Sequence, residues 1–230
     1  MNVQHHSVPP PASRPWPPEY PGPPAHPEPT PHQPPARVWL GQDQWSARLY
    51  DRLLEQRIVM AHGLLDDDAA TRLCAQLLTL DAESSQPIRL ELQSLDAELP
   101  AMLTVVGVLD VLRAPVYAYA GGHLRGPALG VLAAADRRYA YASALFVLTE
   151  PRTHIDGTAA TVKSHEQQLT IMLGELVSRL ADATGRNQEE IRSDFERQQL
   201  LNVDEAIEYG LIQQRAEPRR PRRTGLAPND

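Results

Sequence analysis

The chain has 230 residues, a formal net charge of −7 and an apolar fraction of 42%, which is typical of a protein with one buried core. It contains no apolar run near the ~18 residues of a membrane-spanning helix and no basic-then-apolar signal at its start. We therefore expect no membrane association and a cytoplasmic location. The single cysteine, Cys74, excludes an internal disulfide and any multi-cysteine metal site, and we expect it to be a buried structural thiol.

Charge is unevenly distributed along the chain. Residues 1–36 carry one more acid than base, whereas residues 214–230 carry five arginines against two acids. The segment between them is therefore more acidic than the whole chain, which argues against nucleic-acid binding. The histidines lack the spacing of metal ligands, so we expect no metal ion and no cofactor.

Composition divides the chain into three parts. Residues 1–36 hold 14 of the 22 prolines and are predicted to form a disordered tail. This tail is either a solvated extension or a docking segment for a partner that recognises P-x-x-P. Residues 37–213 are predicted to form one folded domain, and residues 214–230 a disordered arginine-rich tail.

The apolar pattern of the middle segment alternates strands with helices. The predicted strands are 57–61, 88–92, 116–120, 137–140 and 145–148, and the predicted helices are 50–57, 66–80, 100–112, 126–135, 158–184, 187–197 and 203–209. Three successive strand–helix units predict an α/β fold with right-handed crossovers and a mainly parallel sheet. The long helix 158–184, which Gly185 ends, is predicted to project toward a neighbouring subunit.

The stretch Gly121–Pro127 lies between a predicted strand and a predicted helix. In α/β folds such a turn is a common place for a nucleophile or an anion site. Its sequence is G-G-H-L-R-G-P, and no serine occurs anywhere from Tyr117 to Ala142. The position is therefore typical of a catalytic turn, but the side chains are not.

Four ordered motifs resemble one known family. They are Y-D-R-L-L-E-Q-R-I from Tyr50, D-D-D-A…A-Q-L-L from Asp66, G-T-A with His165 from Gly157, and D-E-A-I-E-Y-G-L-I from Asp204. They resemble motifs of the proteolytic subunit of the Clp protease, ClpP, and the similarity covers residues 50–212. The resemblance implies a crotonase-like spiral of β-α-β units with a projecting strand–helix handle. It also implies seven-membered rings that stack in pairs through the handle, enclosing a chamber served by an ATPase unfoldase.

The family's catalytic motifs fall on positions that carry different side chains here. G-Q-A-A-S-M-G corresponds to Gly121–Pro127, which puts Arg125 at the nucleophile position; a shift by one residue supplies no serine either. M-I-H-Q-P corresponds to residues 147–151, with Thr149 in place of the histidine base. D-x-E-R-D corresponds to residues 194–198, with Gln198 in place of the orienting acid. A guanidinium stays protonated and threonine does not titrate near neutral pH, so the implied triad is degenerate.

The family's oxyanion loop is also altered. N-S-P-G-G corresponds to residues 93–97, where Asp96 and Ala97 replace the two glycines. This loses backbone freedom and puts a negative charge where catalysis requires donors for a developing oxyanion.

Residues implied in assembly are partly retained. Glu196 and Arg197 resemble a charged pair at the family's ring–ring contact, an interpretation that competes with a solvated helix end. Gly157 and His165 match the handle motif, and His165 is expected to be structural.

The sequence leads to one main hypothesis and two alternatives. The main hypothesis is a catalytically inactive subunit that assembles with homologous ClpP subunits, in rings with an active paralogue or with itself, modulates ATP-dependent protein degradation and contacts a Clp ATPase. One alternative is a peptidase with a relocated nucleophile, Ser94, and His123 as its base. The other is a self-assembling scaffold without proteolytic function.

Overall fold

A computed structural model describes residues 42–151 and 159–217. In these ranges helices and strands alternate from α1 to β4, after which β5, α5 and α6 follow. The helices are α1 Gln42–Glu55, α2 Asp67–Glu83, α3 Leu99–Leu109, α4 Ala128–Ala133, α5 Ala159–Thr184, α6 Gln188–Glu196 and α7 Val203–Glu208. The strands are β1 Ile58–Leu65, β2 Ile88–Ala97, β3 Val116–Arg125, β4 Arg137–Ala140, β5 Leu145–Val147, β6 Leu200–Leu201 and β7 Gln214–Arg215.

The described strands form one sheet in the order β1-β2-β3-β4-β7, with β5 paired to the distal half of β3 and β6 paired to β5. All pairs are parallel except β5 with β6. The predicted α/β class with a parallel sheet is thus confirmed. The main core lies between one face of this sheet and helices α2 to α5, and it includes Leu90, Leu92, Ala118 and Leu77.

Strands β2 and β3 are longer than predicted. β3 continues through Gly121 and Gly122 to Arg125, and β2 continues to Ala97. β2 bulges at Ser94, whose φ is 49°, and the register with β3 shifts there. Gly122 has φ 64°, and a Cβ on it would lie 2.1 Å from Ser94 Oγ. Gly121 and Gly122 therefore allow β2 and β3 to approach closely at the bulge. The prediction that the strand ends at residue 120 was wrong, because β3 continues through both glycines.

Side chains next to β1 fix both ends of α2. The carboxylate of Asp66 accepts the Ala69 N–H (2.8 Å) and caps the start of the helix. At its other end, Arg57 donates to the carbonyls of Leu80 (2.9 Å) and Ser84 (3.0 Å). The N–H of the C-cap residue Ser84 also donates to the Leu80 carbonyl (3.2 Å). Arg57 adds donors to the carbonyls of the last turn and so joins the end of α2 to the start of β1.

Residues 163–168 of α5 extend away from the body of the protein. Residues 163–168, which include His165, are all exposed, whereas Leu176, Val177 and Leu180 are buried. A helical segment that is exposed on every side has no packing partner among the described residues of the chain. This agrees with the helical part of the predicted handle.

The last strand lies beyond the predicted domain boundary. Gln214 and Arg215 pair with Tyr139 and Ala140 of β4, and the Ala216 N–H donates to the Ala140 carbonyl. The folded domain thus continues past residue 213, because β4 leaves an edge that this segment completes. The predicted tail 1–36, the remaining tail 218–230 and Gly157 lie outside the described residues. No described helix has the length and apolar character to cross a bilayer.

Candidate functional site

All five positions predicted to carry a degenerate active site line one cavity. It has a volume of about 470 Å³ and lies at the carboxyl ends of the parallel strands β2, β3 and β5. The five positions are Asp96, Ala97, Arg125, Thr149 and Gln198. Carboxyl ends of parallel strands are the usual location of α/β active sites.

Arg125 is the last residue of β3, immediately before the turn into α4. The next residue, Gly126, has φ 47°, and a Cβ on it would lie 2.8 Å from the Thr149 carbonyl oxygen. The Gly126 N–H donates to the Val147 carbonyl (2.9 Å). In a catalytic turn the amide after the nucleophile is a usual oxyanion donor, but here a backbone bond uses it.

Thr149 and Gln198 are brought to the cavity by adjacent segments. The Leu148 N–H donates to the Gln199 carbonyl (2.9 Å), which joins the residues after β5 to those after α6. Gln198 has φ 52°, a left-handed conformation that is uncommon for a residue other than glycine. The backbone thus holds the base and acid positions close together, although neither side chain transfers protons near neutral pH.

At the positions of the family's oxyanion loop, a side-chain carboxylate accepts a backbone N–H. The Ala97 N–H donates to Asp96 Oδ1 (2.9 Å). Because a carboxylate already accepts this hydrogen bond, an incoming oxyanion would meet negative charge there.

The cavity is acidic around one cation. Carboxylates come from Asp96, Glu98, Glu150 and Glu196, and the guanidinium from Arg125. Within the described ranges Arg125 makes no ion pair and no side-chain hydrogen bond, and it is exposed. The cavity therefore contains charge, but its lining residues include no serine, cysteine or histidine to act as nucleophile or base.

The alternative nucleophile, Ser94, lies in the β2 bulge, and its suggested base, His123, lies on β3. Both residues are exposed, and no hydrogen bond joins them in the part of the chain described. Neither lines the cavity that holds Arg125. This geometry provides no support for the Ser94–His123 pair.

The positions assigned to assembly are exposed in the single chain. Glu196 ends α6 and also lines the Arg125 cavity, and Arg197 follows it as the C-cap. His165 lies on the exposed part of α5. All three are accessible to a second subunit.

A second cavity, of about 1100 Å³, lies on the face of the sheet opposite the main core. Its floor consists of Arg89, Glu91, Tyr119, Tyr139 and Tyr141, and we call it the tyrosine cavity. The sequence interpretation did not single it out. The sequence signal for it is the alternation of side chains along β2 and β3. Arg89, Glu91 and Tyr119 alternate with the buried Leu90 and Ala118, which places the first three on the face away from the main core.

Polar side chains on this floor bind one another. Arg89 Nε donates to Glu91 Oε1 (2.6 Å), and Tyr141 Oη donates to the same oxygen (2.9 Å). Gln93 donates to the other carboxylate oxygen (2.9 Å), and the Arg89 guanidinium lies 3.9 Å from the centroid of the Tyr119 ring. Burial first, and then the hydrogen bond to Glu91, raise the pKa of the Tyr141 phenol.

Comparison with known proteins gives one family. The sequence model of the family described as "Clp protease" matches residues 41–219, which include every element from α1 to β7. Among relatives, the chain is 32% identical over 169 residues to "ATP-dependent Clp protease proteolytic subunit 4" of Rhodococcus jostii, covering 72% of this chain and 87% of the relative. It is 29% identical over 170 residues to subunit 2 of the same bacterium, covering 73% and 87%. It is 30% identical over 167 residues to subunit 1 of Mycobacterium bovis, covering 71% and 84%.

Proposed function

The chain belongs to the Clp protease family, and from that premise we propose that it is a non-catalytic proteolytic-subunit homologue. In this proposal it assembles into Clp-type rings together with an active paralogue. It forms part of the chamber wall and of the outer surface of the ring, and it modulates protein degradation without cleaving peptide bonds.

One observation is the main support for the proposal that the chain does not catalyse peptide hydrolysis. At the end of β3, where the family has its nucleophile, this chain has Arg125, and the amide of Gly126 is bonded to Val147. An acyl-transfer site needs a nucleophile, a base and free oxyanion donors at this point. Losing one oxyanion donor alone costs about 100- to 1,000-fold in rate, and here the nucleophile and the base are replaced as well.

Two observations support assembly with related subunits. The matched relatives are named as subunits, and two differently numbered ones come from one bacterium, R. jostii. In this chain residues 163–168 of α5 are all exposed, and Glu196 and Arg197 at the end of α6 are exposed. A bidentate arginine–carboxylate link between subunits requires such accessible partners.

Activity is tested with a fluorophosphonate probe and a fluorogenic peptide on the purified full-length chain. We expect no labelling and no cleavage. The variant Arg125→Ser should behave in the same way, because Thr149 and Gln198 still stand in place of the histidine base and the orienting acid. An intact R. jostii subunit serves as the positive control. Labelling of the wild type that disappears in Ser94→Ala would instead establish the relocated nucleophile.

Assembly is tested by coexpressing the tagged chain with an active Clp subunit from its own host. Native mass spectrometry of the purified complex is expected to show rings that contain both chains. Charge reversal at Glu196 and Arg197 (Glu196→Arg with Arg197→Glu) should lower the yield of the mixed complex. Arg192→Glu, an exposed change on the same helix, is the control that should not. Recovery of a pure homo-oligomer with no active subunit would refute the proposal and favour the scaffold.

A further inference from the structure

Tyr209 is a buried tyrosine at the end of α7 whose hydroxyl reaches another helix. It is the C-cap residue of α7 and is 7% exposed, and its Oη donates to Asp194 Oδ2 of α6 (2.7 Å). Burial first, and then this hydrogen bond, raise the pKa of the Tyr209 phenol. The phenol is therefore a donor to Asp194 throughout the pH range around neutrality.

Neighbouring elements fix Tyr209 in place. The guanidinium of Arg186, in the loop after α5, lies 4.0 Å from the Tyr209 ring centroid, and Arg186 Nε donates to the Tyr209 carbonyl (3.3 Å). The next two carbonyls, those of Gly210 (3.3 Å) and Leu211 (2.9 Å), accept hydrogen bonds from the Arg138 guanidinium of β4. A phenol held in this way is preorganised for its own hydrogen bond.

Asp194 is the residue on which the end of α6 closes. Its carbonyl accepts the Gln199 N–H (3.0 Å), and the Gln198 N–H donates to the Phe195 carbonyl (3.1 Å). With Gln198 left-handed at φ 52°, these two bonds form a Schellman motif. The Gln199 carbonyl in turn accepts the Leu148 N–H (2.9 Å). Asp194 thus bonds to α7 through its side chain and to the residues after α6 through its backbone.

The same helix end carries Glu196 and Arg197, the residues assigned to assembly. Both are exposed, and so is Gln198, so burial does not hold this end in place. The left-handed conformation of a residue other than glycine also costs free energy. Exposed helix ends open most readily, and the bond from Tyr209 to Asp194 opposes that opening.

We propose that Tyr209 is a positioning residue for assembly. It holds Asp194, and through Asp194 the end of α6, in the conformation that presents Glu196 and Arg197 to a neighbouring subunit. This inference rests on the proposed function, in which those two residues contact another subunit, and it assigns to α7 a part in that contact.

Hydrogen exchange of the full-length chain, without any partner, tests the positioning step. Tyr209→Phe keeps the ring beside Arg186 and removes only the hydroxyl. The amides of Gln199 and Leu148 should then exchange about fivefold faster, the effect of losing one hydrogen bond from a locally opening segment. In an Asp194→Ala background, Tyr209→Phe should have no further effect on these amides, because both changes remove the same bond.

Tyr141→Phe is the matched control. It also removes a phenol hydrogen bond to a carboxylate, that of Glu91 (2.9 Å), but it lies in the tyrosine cavity and not against α6. Exchange at Gln199 and Leu148 should be the same in this variant as in the wild type. Unchanged exchange in Tyr209→Phe, or equal acceleration in both variants, would overturn the proposal.

Coexpression with an active Clp subunit, followed by native mass spectrometry, tests the step to assembly. Tyr209→Phe should lower the yield of mixed rings about threefold, because the fraction of chains with a competent α6 end falls, and Tyr141→Phe should not. Faster exchange with an unchanged yield would make the bond structural only and would overturn the proposal. Absence of mixed rings with the wild type would refute the proposed function instead, and exchange in the isolated chain would still show whether Tyr209 holds the end of α6.

Discussion

Arg89 on the floor of the tyrosine cavity and Arg125 in the cavity at the strand ends have different surroundings. Arg89 in the tyrosine cavity is paired with Glu91, stacked on Tyr119 and bonded to Tyr141. Arg125, at the strand ends, lies in a cavity lined by four carboxylates without pairing with any of them in the described ranges. Side chains thus stabilise the first cavity. Backbone contacts, such as those of Gly126 and Leu148, hold the second together.

The largest expected effect concerns the buried acid. Glu91 is 8% exposed and accepts hydrogen bonds from three side chains. Glu91→Ala should lower the free energy of unfolding by about 3 kcal/mol, because it leaves the partly buried Arg89 cation unpaired. The measurement is urea denaturation followed by circular dichroism.

The matched change in the other cavity is Glu98→Ala. Glu98 is exposed, and its side chain makes no hydrogen bond to the start of α3. The free energy of unfolding should therefore change by no more than about 0.5 kcal/mol. Equal losses for the two acids would contradict the contrast between the cavities.

Gly122→Ala tests the backbone contact that supports the Arg125 cavity. The new Cβ would meet Ser94 Oγ, and alanine disfavours φ 64°, so we expect a loss of about 1.5 kcal/mol in the free energy of unfolding. Adding Ser94→Gly should recover part of this loss, because it removes both the contact and the left-handed serine. A double-mutant cycle measures the coupling; additive effects would show that the two strands do not constrain each other.

Tyr141→Phe gives a smaller effect that changes with pH. At pH 7 the variant loses the hydroxyl bonds to Glu91 and Arg89, which corresponds to about 1 kcal/mol of unfolding free energy. The folded-state pKa of Tyr141 is raised above its ordinary value of 10. Its stabilising contribution is therefore complete below pH 10 and is lost as the pH rises through the folded pKa.

The difference between wild type and Tyr141→Phe should consequently shrink above pH 10. Urea denaturation at pH 8, 10 and 11 measures it. A difference that grows with pH would mean that the phenol ionises more readily in the folded state than in the unfolded chain.

The Arg125 cavity could be predicted from the sequence, whereas the tyrosine cavity could not. The resemblance to family motifs identified Arg125, Thr149 and Gln198 as site positions. In the structure Arg125 ends β3 and the other two follow β5 and α6, and all three line one cavity. The extents of β2 and β3 were underestimated because Gly121–Gly122 has the same local signal in a turn and in a bulged strand. The network of Arg89 with Tyr141 depends on residues 52 positions apart and on which face of the sheet lies opposite the main core, and local periodicity contains neither fact.

Arg125 itself should have the smallest effect on stability. It is exposed and has no ion pair within the described ranges, so Arg125→Ala should change the free energy of unfolding by no more than about 0.5 kcal/mol. Loss of long-range attraction to the surrounding carboxylates destabilises the variant slightly, and salt screens that attraction. Comparing urea denaturation at low and at 0.5 M salt isolates this contribution. A loss of 2 kcal/mol or more, comparable with Glu91→Ala, would mean that Arg125 has a structural partner and that the two cavities are stabilised in the same way.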